Sequence, residues 1–289
     1  MEADVVAVEV VARMNAIENI SKLGSGIGYR NEIKDELIFD HSEIDFVEVI
    51  GEHFMGQSPV MQQQLEDLLD EYIVIPHFIG CSFGSAQGID LLYLERVARL
   101  LEKINPPYWS EHIAFTECHG IEIGHLTPSP YTNEALDVFS KNLELAKQII
   151  PFPLILENIS YILNDPIQQM SEAQFLKSLF NANPDVGMLL DITNLYINSI
   201  NHQYDFKEWL SLVQTNNIVQ IHYVGHDVRE GMLIDNHSYP TQEPIWQLMH
   251  YIKPLCTNLK GSVLERDHKF GSMDELRMET KKARSILFQ

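Results

Sequence analysis

Cysteine is scarce in this chain. Its three cysteines, Cys81, Cys118 and Cys256, stand far apart and form no CxxC pair. That spacing excludes a cysteine-rich zinc site, argues against a disulfide framework, and fits a reducing cytoplasm. Positive charge is scarce too. Lys and Arg number 20 against 41 Asp and Glu, for a formal net charge of -21. Phosphate backbones and anionic membranes need a basic footprint, so neither nucleic acid nor a membrane surface is an expected partner. No run of 18 consecutive apolar residues is present, so no membrane-crossing helix is expected. The opening Met-Glu-Ala-Asp lacks the basic start of a secretion signal. There is no low-complexity tract, and no composition shift marks a linker.

What the chain does have is alternation. Short apolar runs recur over 24–29, 44–50, 72–77, 109–115, 153–158, 186–191, 218–223 and 261–265. Amphipathic stretches lie between them. Leu94, Val97, Leu101 and Ile104 repeat at helical spacing, and 133–149 carries the same pattern. Ser171 with Gln174, Asp205 with Glu208, and Ser272 with Glu275 have the spacing of helix-start caps. Eight strands, each followed by a helix or loop, predict an α/β protein with a (βα)8 TIM-like barrel, a fold that typically takes about 250 residues. A doubly wound sheet is the alternative. Residues 1–22 read as an N-terminal extension, helical in character, and 23–289 as one domain.

Active sites of such barrels lie at the C-terminal ends of the strands. Asp235 and His237 sit two residues apart beyond the seventh run, with His222 at its end. The third run ends at His77, and the fourth carries Glu111 and His112. The fifth ends at Glu157 and Asn158, the sixth at Asp191 with Asn194 beyond it, and the eighth at Glu265. Taken singly, each is ordinary: a lone His there is usually a hydrogen-bonded core residue, and a lone Asp caps the next helix. Taken together, they bring several carboxylates to one rim. Desolvating and crowding them costs several kcal/mol each unless cations are present. The pattern therefore predicts more than one bound metal ion, held by imidazole and carboxylate. Cys81 lies near the rim without an evident His partner, so it is not read as a nucleophile. His41, His119, His125, His202, His250 and His268 have no rim placement and read as surface or loop residues. His53 could stand behind the ligands.

At this point the residues resemble a known family, the multinuclear non-heme iron-dependent oxidative enzymes of the methanobactin-biosynthesis type. The resemblance runs from about Gly24 to Glu275. It rests on ordered segments that include Gly26-Ile27-Gly28-Tyr29-Arg30, His77-Phe78-Ile79-Gly80-Cys81 and Ser110-Glu111-His112. Leu156-Glu157-Asn158, Asp191-Ile192-Thr193-Asn194, Asn201-His202, Ile221-His222-Tyr223, Asp235-Asn236-His237 and Leu264-Glu265-Arg266-Asp267 continue it. The family often has Glu-Asn-Tyr where this chain has Glu52-His53-Phe54, and Gly where it has Phe78.

The resemblance implies a xylose-isomerase-like barrel holding two or three irons, mixed Fe(II) and Fe(III), with O2 as co-substrate. The implied ligands are His77, His112, Glu157, Asp191, Asn194, His222, Asp235, His237 and Glu265, with Glu111 in support. His77, His112, Asp191, His222 and Asp235 would carry the catalysis. The implied substrate is a ribosomally made, cysteine-containing precursor peptide, and the implied partner a small protein that recognises its leader, in a heterodimer. Three other readings compete: a multi-zinc phosphodiesterase of the endonuclease IV type, a divalent-metal sugar isomerase or epimerase, and a non-catalytic binding barrel.

Overall fold

A computed structural model describes residues 17–289. Its centre is a closed barrel of eight parallel strands: β1 (Gly24–Gly28), β2 (Phe46–Ile50), β3 (Ile73–His77), β4 (Trp109–His112), β7 (Leu154–Glu157), β8 (Gly187–Asp191), β9 (Ile218–Tyr223) and β12 (Gly261–Leu264). All eight apolar runs of the sequence supply one strand each. Around them lie α1 (Lys34–Phe39), α2 (Pro59–Glu71), α3 (Leu91–Ile104), α4 (Asn133–Ile149), α5 (Glu172–Ala182), α6 (Ile192–Asn201), α7 (Phe206–Leu212), α8 (Glu243–Ile252) and α9 (Met273–Phe288). Among the described residues, no helix is long and apolar enough to cross a membrane.

Local chemistry fixes the helix ends. Ser171 with Gln174 and Ser272 with Glu275 form reciprocal capping boxes on α5 and α9. Asp205 caps α7 differently from expectation, by accepting from the Lys207 amide. In α3, Leu94, Val97, Leu101 and Ile104 are buried as their spacing predicts.

The barrel interior is layered. A lower layer of Phe46, Ile75, Tyr108, Ile155, Leu189, Val219 and Val263 is apolar, and Ile17 packs into it. Gly26 makes room for this layer, since a Cβ there would stand 2.5 Å from the Phe46 carbonyl oxygen. Side chains alternate faces along a strand. Two residues beyond the apolar layer, the same inward face therefore presents Glu48, His77, Ser110, Glu157, Asp191 and Glu265. In β9 the register shifts at Val219 relative to β8, leaving one extra residue. That bulge re-aims the strand, so that Gln220 and His222 join the polar layer. Residues 1–16 of the expected N-terminal extension lie outside the described residues.

Two features correct the sequence reading. The fourth run ends as a barrel strand at His112, and the chain then turns back in the hairpin β5 (Phe115–Cys118) and β6 (Ile121–Thr127). A second hairpin, β10 (Gly225–Arg229) and β11 (Met232–Tyr239), follows β9. Asp235 and His237, which the sequence places beyond the seventh run without a strand of their own, lie on β11. Each hairpin turns through two residues of positive φ, His119-Gly120 and Glu230-Gly231. That is the backbone shape that matches the twist of paired strands.

Candidate metal centre

The polar layer brings the expected ligands together above the apolar one. Single donor atoms of His77, His112 and Glu157 lie within 4.8 Å of one another, and so do those of Glu157, Asp191, His222 and Glu265. Glu157 belongs to both sets and divides its oxygens between them. Its Oε2 lies 3.4 Å from His77 Nε2 and 3.5 Å from His112 Nε2. Its Oε1 lies 3.4 Å from His222 Nδ1.

The remaining expected ligands stand beside these sets. His237 Nδ1 is 3.8 Å from Glu265 Oε1, and its Nε2 is 2.9 Å from Asp235 Oδ1. Asn194, in the first turn of α6, donates its amide to Asp191 Oδ1 at 2.7 Å and leaves its own buried Oδ1 without a partner.

Several of these atoms are close without being bonded. His222 Nδ1 is 2.9 Å from Glu265 Oε2, yet it makes no hydrogen bond. Glu157 Oε2, Asp191 Oδ2, Asp235 Oδ1 and His237 Nδ1 are likewise buried without a hydrogen-bond partner. Buried polar atoms are nearly always satisfied. A group of them converging on common points, all of them imidazole nitrogens and carboxylate or amide oxygens, fits bound cations of the transition series.

Electrostatics agrees. Burial pushes the Asp191 carboxyl well above its usual range, and the charges of Glu157 and Asp235 push it further. Burial holds His77 well below the usual imidazole value, helped by His112 and His222. For His222, burial opposes protonation, but the carboxylates of Glu48, Glu157 and Glu265 outweigh it and raise the ring well above normal. Burial of His112 is likewise outweighed, first by Glu157, and its value rises to about 9. Glu265 goes the other way: burial would raise it, but His237 and His222 hold it well down. Without cations, the cluster keeps its charge tolerable by sharing protons. Cations would take their place.

A supporting shell orients the rings. His77 Nδ1 pairs with Ser110 Oγ at 2.8 Å, which turns Nε2 toward the cluster. His112 Nδ1 lies 3.1 Å from the Phe78 carbonyl, which can only accept, so that nitrogen carries a proton, and Nε2, 3.3 Å from His77 Nε2, points into the cluster. Glu111 accepts from the His112 amide at 2.7 Å and the Cys81 amide at 2.8 Å. Burial and Glu111 push the Cys81 thiol well up, in keeping with an inert cysteine. His222 Nε2 lies 2.9 Å from Glu48 Oε1. Glu48 Oε2 accepts from Gln220 at 2.6 Å, and Gln220 Oε1 accepts from Tyr108 at 2.6 Å. On the other flank, Arg30 Nε donates to Asp267 Oδ1 at 2.7 Å, and Asp267 Oδ2 meets His237 Nδ1 at 3.1 Å.

Sequence reasoning missed Glu48, Gln220, Tyr108 and Asp267. Glu48 and Gln220 sit within apolar runs rather than at their ends, and only their inward phase could have marked them, while Tyr108 stands one residue before the fourth run. His202, expected at the surface, is half-buried and stacks on Tyr161 with ring centres 4.4 Å apart.

Residues 24–288 match the family model described as RiPP precursor modification enzyme MbnB/TglH/ChrH. The chain belongs to this family. RiPPs are ribosomally made, post-translationally modified peptides, so the protein is an enzyme whose substrate class is a precursor peptide. A UPF0276 protein of Caulobacter vibrioides is 33% identical over 263 residues, covering 91% of this chain and 93% of that protein. One from Rhizorhabdus wittichii is 34% identical over 248 residues, covering 84% and 86%. Among solved structures, D-allulose 3-epimerase from Methylomonas sp. superposes with a TM-score of 0.55 at 12% identity, covering 93% of this chain and 96% of that one. Endonuclease IV from Thermus thermophilus gives 0.54 at 10% identity, covering 91% and 98%. At such identities the likeness establishes the xylose-isomerase-like barrel alone.

Proposed function

We propose that this enzyme is an iron- and O2-dependent oxidase that modifies cysteine, or another residue, in a ribosomally made precursor peptide, aided by a small partner protein that binds the leader. The observation that carries the proposal is Glu157, whose two oxygens face two separate sets of donors, as a carboxylate spanning two ions does. Family membership supports a peptide substrate. The mixed imidazole, carboxylate and amide donors suit iron, in two or three ions of mixed Fe(II) and Fe(III).

His77, His112 and Glu157 Oε2 would hold one ion. Glu157 Oε1, Asp191, His222 Nδ1 and Glu265 would hold a second, and Asn194, Asp235 and His237 would serve a third position or complete the second. Bound iron supplies a Lewis-acidic site for a substrate thiolate and electrons for O2. Glu48 Oε1 and Gln220 Nε2 lie 2.9 and 3.0 Å from His222 Nε2 and hold the ring so that Nδ1 faces the donor set, and a carboxylate behind an imidazole also makes it a stronger ligand. Gln220 and Tyr108 fix Glu48 in turn. Ser110, the Phe78 carbonyl and Glu111 do the same for His77 and His112. The apolar layer below closes the site to water from beneath.

The test is purification from iron-supplemented cells, followed by metal analysis and Mössbauer spectroscopy, then O2 uptake with a cysteine-containing precursor peptide encoded nearby. We expect two or three irons per chain and iron-dependent O2 consumption coupled to a mass change of the peptide. Full occupancy by zinc with no iron-dependent O2 uptake would overturn the proposal.

A further inference from the structure

A groove of about 610 Å³ opens beside the metal centre. One wall is the loop after β7, with Tyr161 and Leu163, and another is β11, with Leu233 and Ile234; His125 and Leu126 of β6 also line the groove. Ile197 of α6 lies between the walls, and Asp235, an expected metal ligand, also lines the groove. The groove is thus continuous with the reactive centre.

Its walls are apolar and stand open. Leu163 is 80% exposed and its neighbour Ile162 is 60% exposed. Clustered exposed apolar side chains next to a reactive site mark a binding surface. The two carboxylates on the groove, Asp165 and Asp235, disfavour an acidic occupant, and His125 is the further titratable group that lines it.

Both walls are braced from one dipeptide at the end of α6. Asn201 Nδ2 donates to the Leu233 carbonyl at 2.8 Å, and Asn201 Oδ1 accepts from the Leu233 amide at 2.9 Å. His202 Nε2 lies 2.9 Å from the Tyr161 carbonyl, and its ring stacks on the Tyr161 ring. The sequence singled out Asn201-His202 without giving it a task, and it is not among the expected ligands. A groove held open before its occupant arrives loses less on ordering when it binds.

We infer that this groove binds apolar side chains flanking the residue that the peptide substrate presents to the metals. The inference rests on the peptide-oxidase reading. It deepens that reading by giving the substrate a sequence preference: apolar, non-acidic residues beside the modified position.

The probes are two capped pentapeptides, Ac-Lys-Leu-Cys-Leu-Lys-NH2 and its counterpart with Asn in place of both Leu. Each is titrated anaerobically into the metal-loaded full chain. We expect the Leu peptide to bind at least about tenfold more tightly, the scale of burying one such side chain. Leu163→Ser should erase most of that ratio with metal content unchanged, and Ile162→Ser, at the neighbouring exposed side chain, provides a second variant. Equal binding of the two peptides, no measurable binding of either, or a ratio untouched by both substitutions overturns the inference. If the Leu peptide is preferred but iron-dependent O2 uptake is absent, the groove stands and the oxidase reading falls. If oxidation proceeds regardless of the flanking residues, the oxidase reading stands and the groove falls.

Discussion

Glu48 Oε1 lies 2.9 Å from His222 Nε2, on the side of the ring opposite the donor cluster. The pair joins β2 to β9 across the barrel interior and, with Gln220 Nε2 at 3.0 Å from the same nitrogen, holds the ring with Nδ1 toward the donor cluster. Glu48→Gln should leave the fold intact and weaken metal binding by about 10- to 100-fold, the usual effect of losing a carboxylate behind a ligating imidazole. Competition with a chromophoric chelator measures this. Wild-type affinity in the variant would show that His222 is oriented by something else.

Glu157 predicts a difference between two variants. Because its oxygens face both donor sets, Glu157→Ala should lose two ions per chain. His77→Ala, which touches one set, should lose one. Elemental analysis of the two purified proteins decides the matter, and equal losses would mean that Glu157 does not span two ions.

Stability should depend on pH through a residue outside the donor cluster. Glu172, at the start of α5, is buried and accepts from Trp209 Nε1 at 3.0 Å, and burial raises its carboxyl to about 7. In the unfolded chain it titrates near the ordinary value of about 4.3. Between those values the folded state holds the proton more tightly, so stability falls as pH rises from about 4.3 and levels off above 7. The full penalty at pH 8 is roughly 4 kcal/mol. Glu172→Gln should therefore raise Tm at pH 8 and flatten the decline between pH 5 and 8, as read by thermal denaturation. A Tm at pH 8 that stays the same or falls would contradict this.

The lower layer can be weakened without touching the site. Ile17 is 6% exposed and packs among the barrel's inward apolar side chains. Ile17→Ala should cost about 2 to 5 kcal/mol and lower Tm by several degrees, while metal content at 25 °C remains that of the wild type. Loss of metal in this variant would mean that the two layers are coupled.

The barrel strands were legible because each is an apolar run buried on both faces, as parallel strands are. The cluster was legible for a related reason: the polar layer falls where most of these runs end, so His77, Glu157, Asp191, His222 and Glu265 each close a run. Glu48 does not, because Val49 and Ile50 continue its strand outward and hide it. The two hairpins were missed for a different reason. Their strands are half-exposed and polar, and their turns carry His119 and Glu230 where Asn or Asp would have signalled the shape. Only Gly120 and Gly231 mark them. His202 escaped because its value lies in a stacking contact with Tyr161, forty-one residues earlier in the chain, which no local spacing encodes.

The eight-stranded ring has a thin joint. β2 and β3 run in register from Phe46 and Ile73 to Ile50 and His77, whereas β3 and β4 meet in register at His77 and Ser110 alone. His77 and His112 stand on either side of that joint. An ion held by both would act as a clasp, fastening the hoop where its backbone ladder is weakest. Metal uptake should then slow amide hydrogen exchange along β3 and β4 more than along β8 and β9, making the cofactor part of the barrel's mechanical closure as well as of its chemistry.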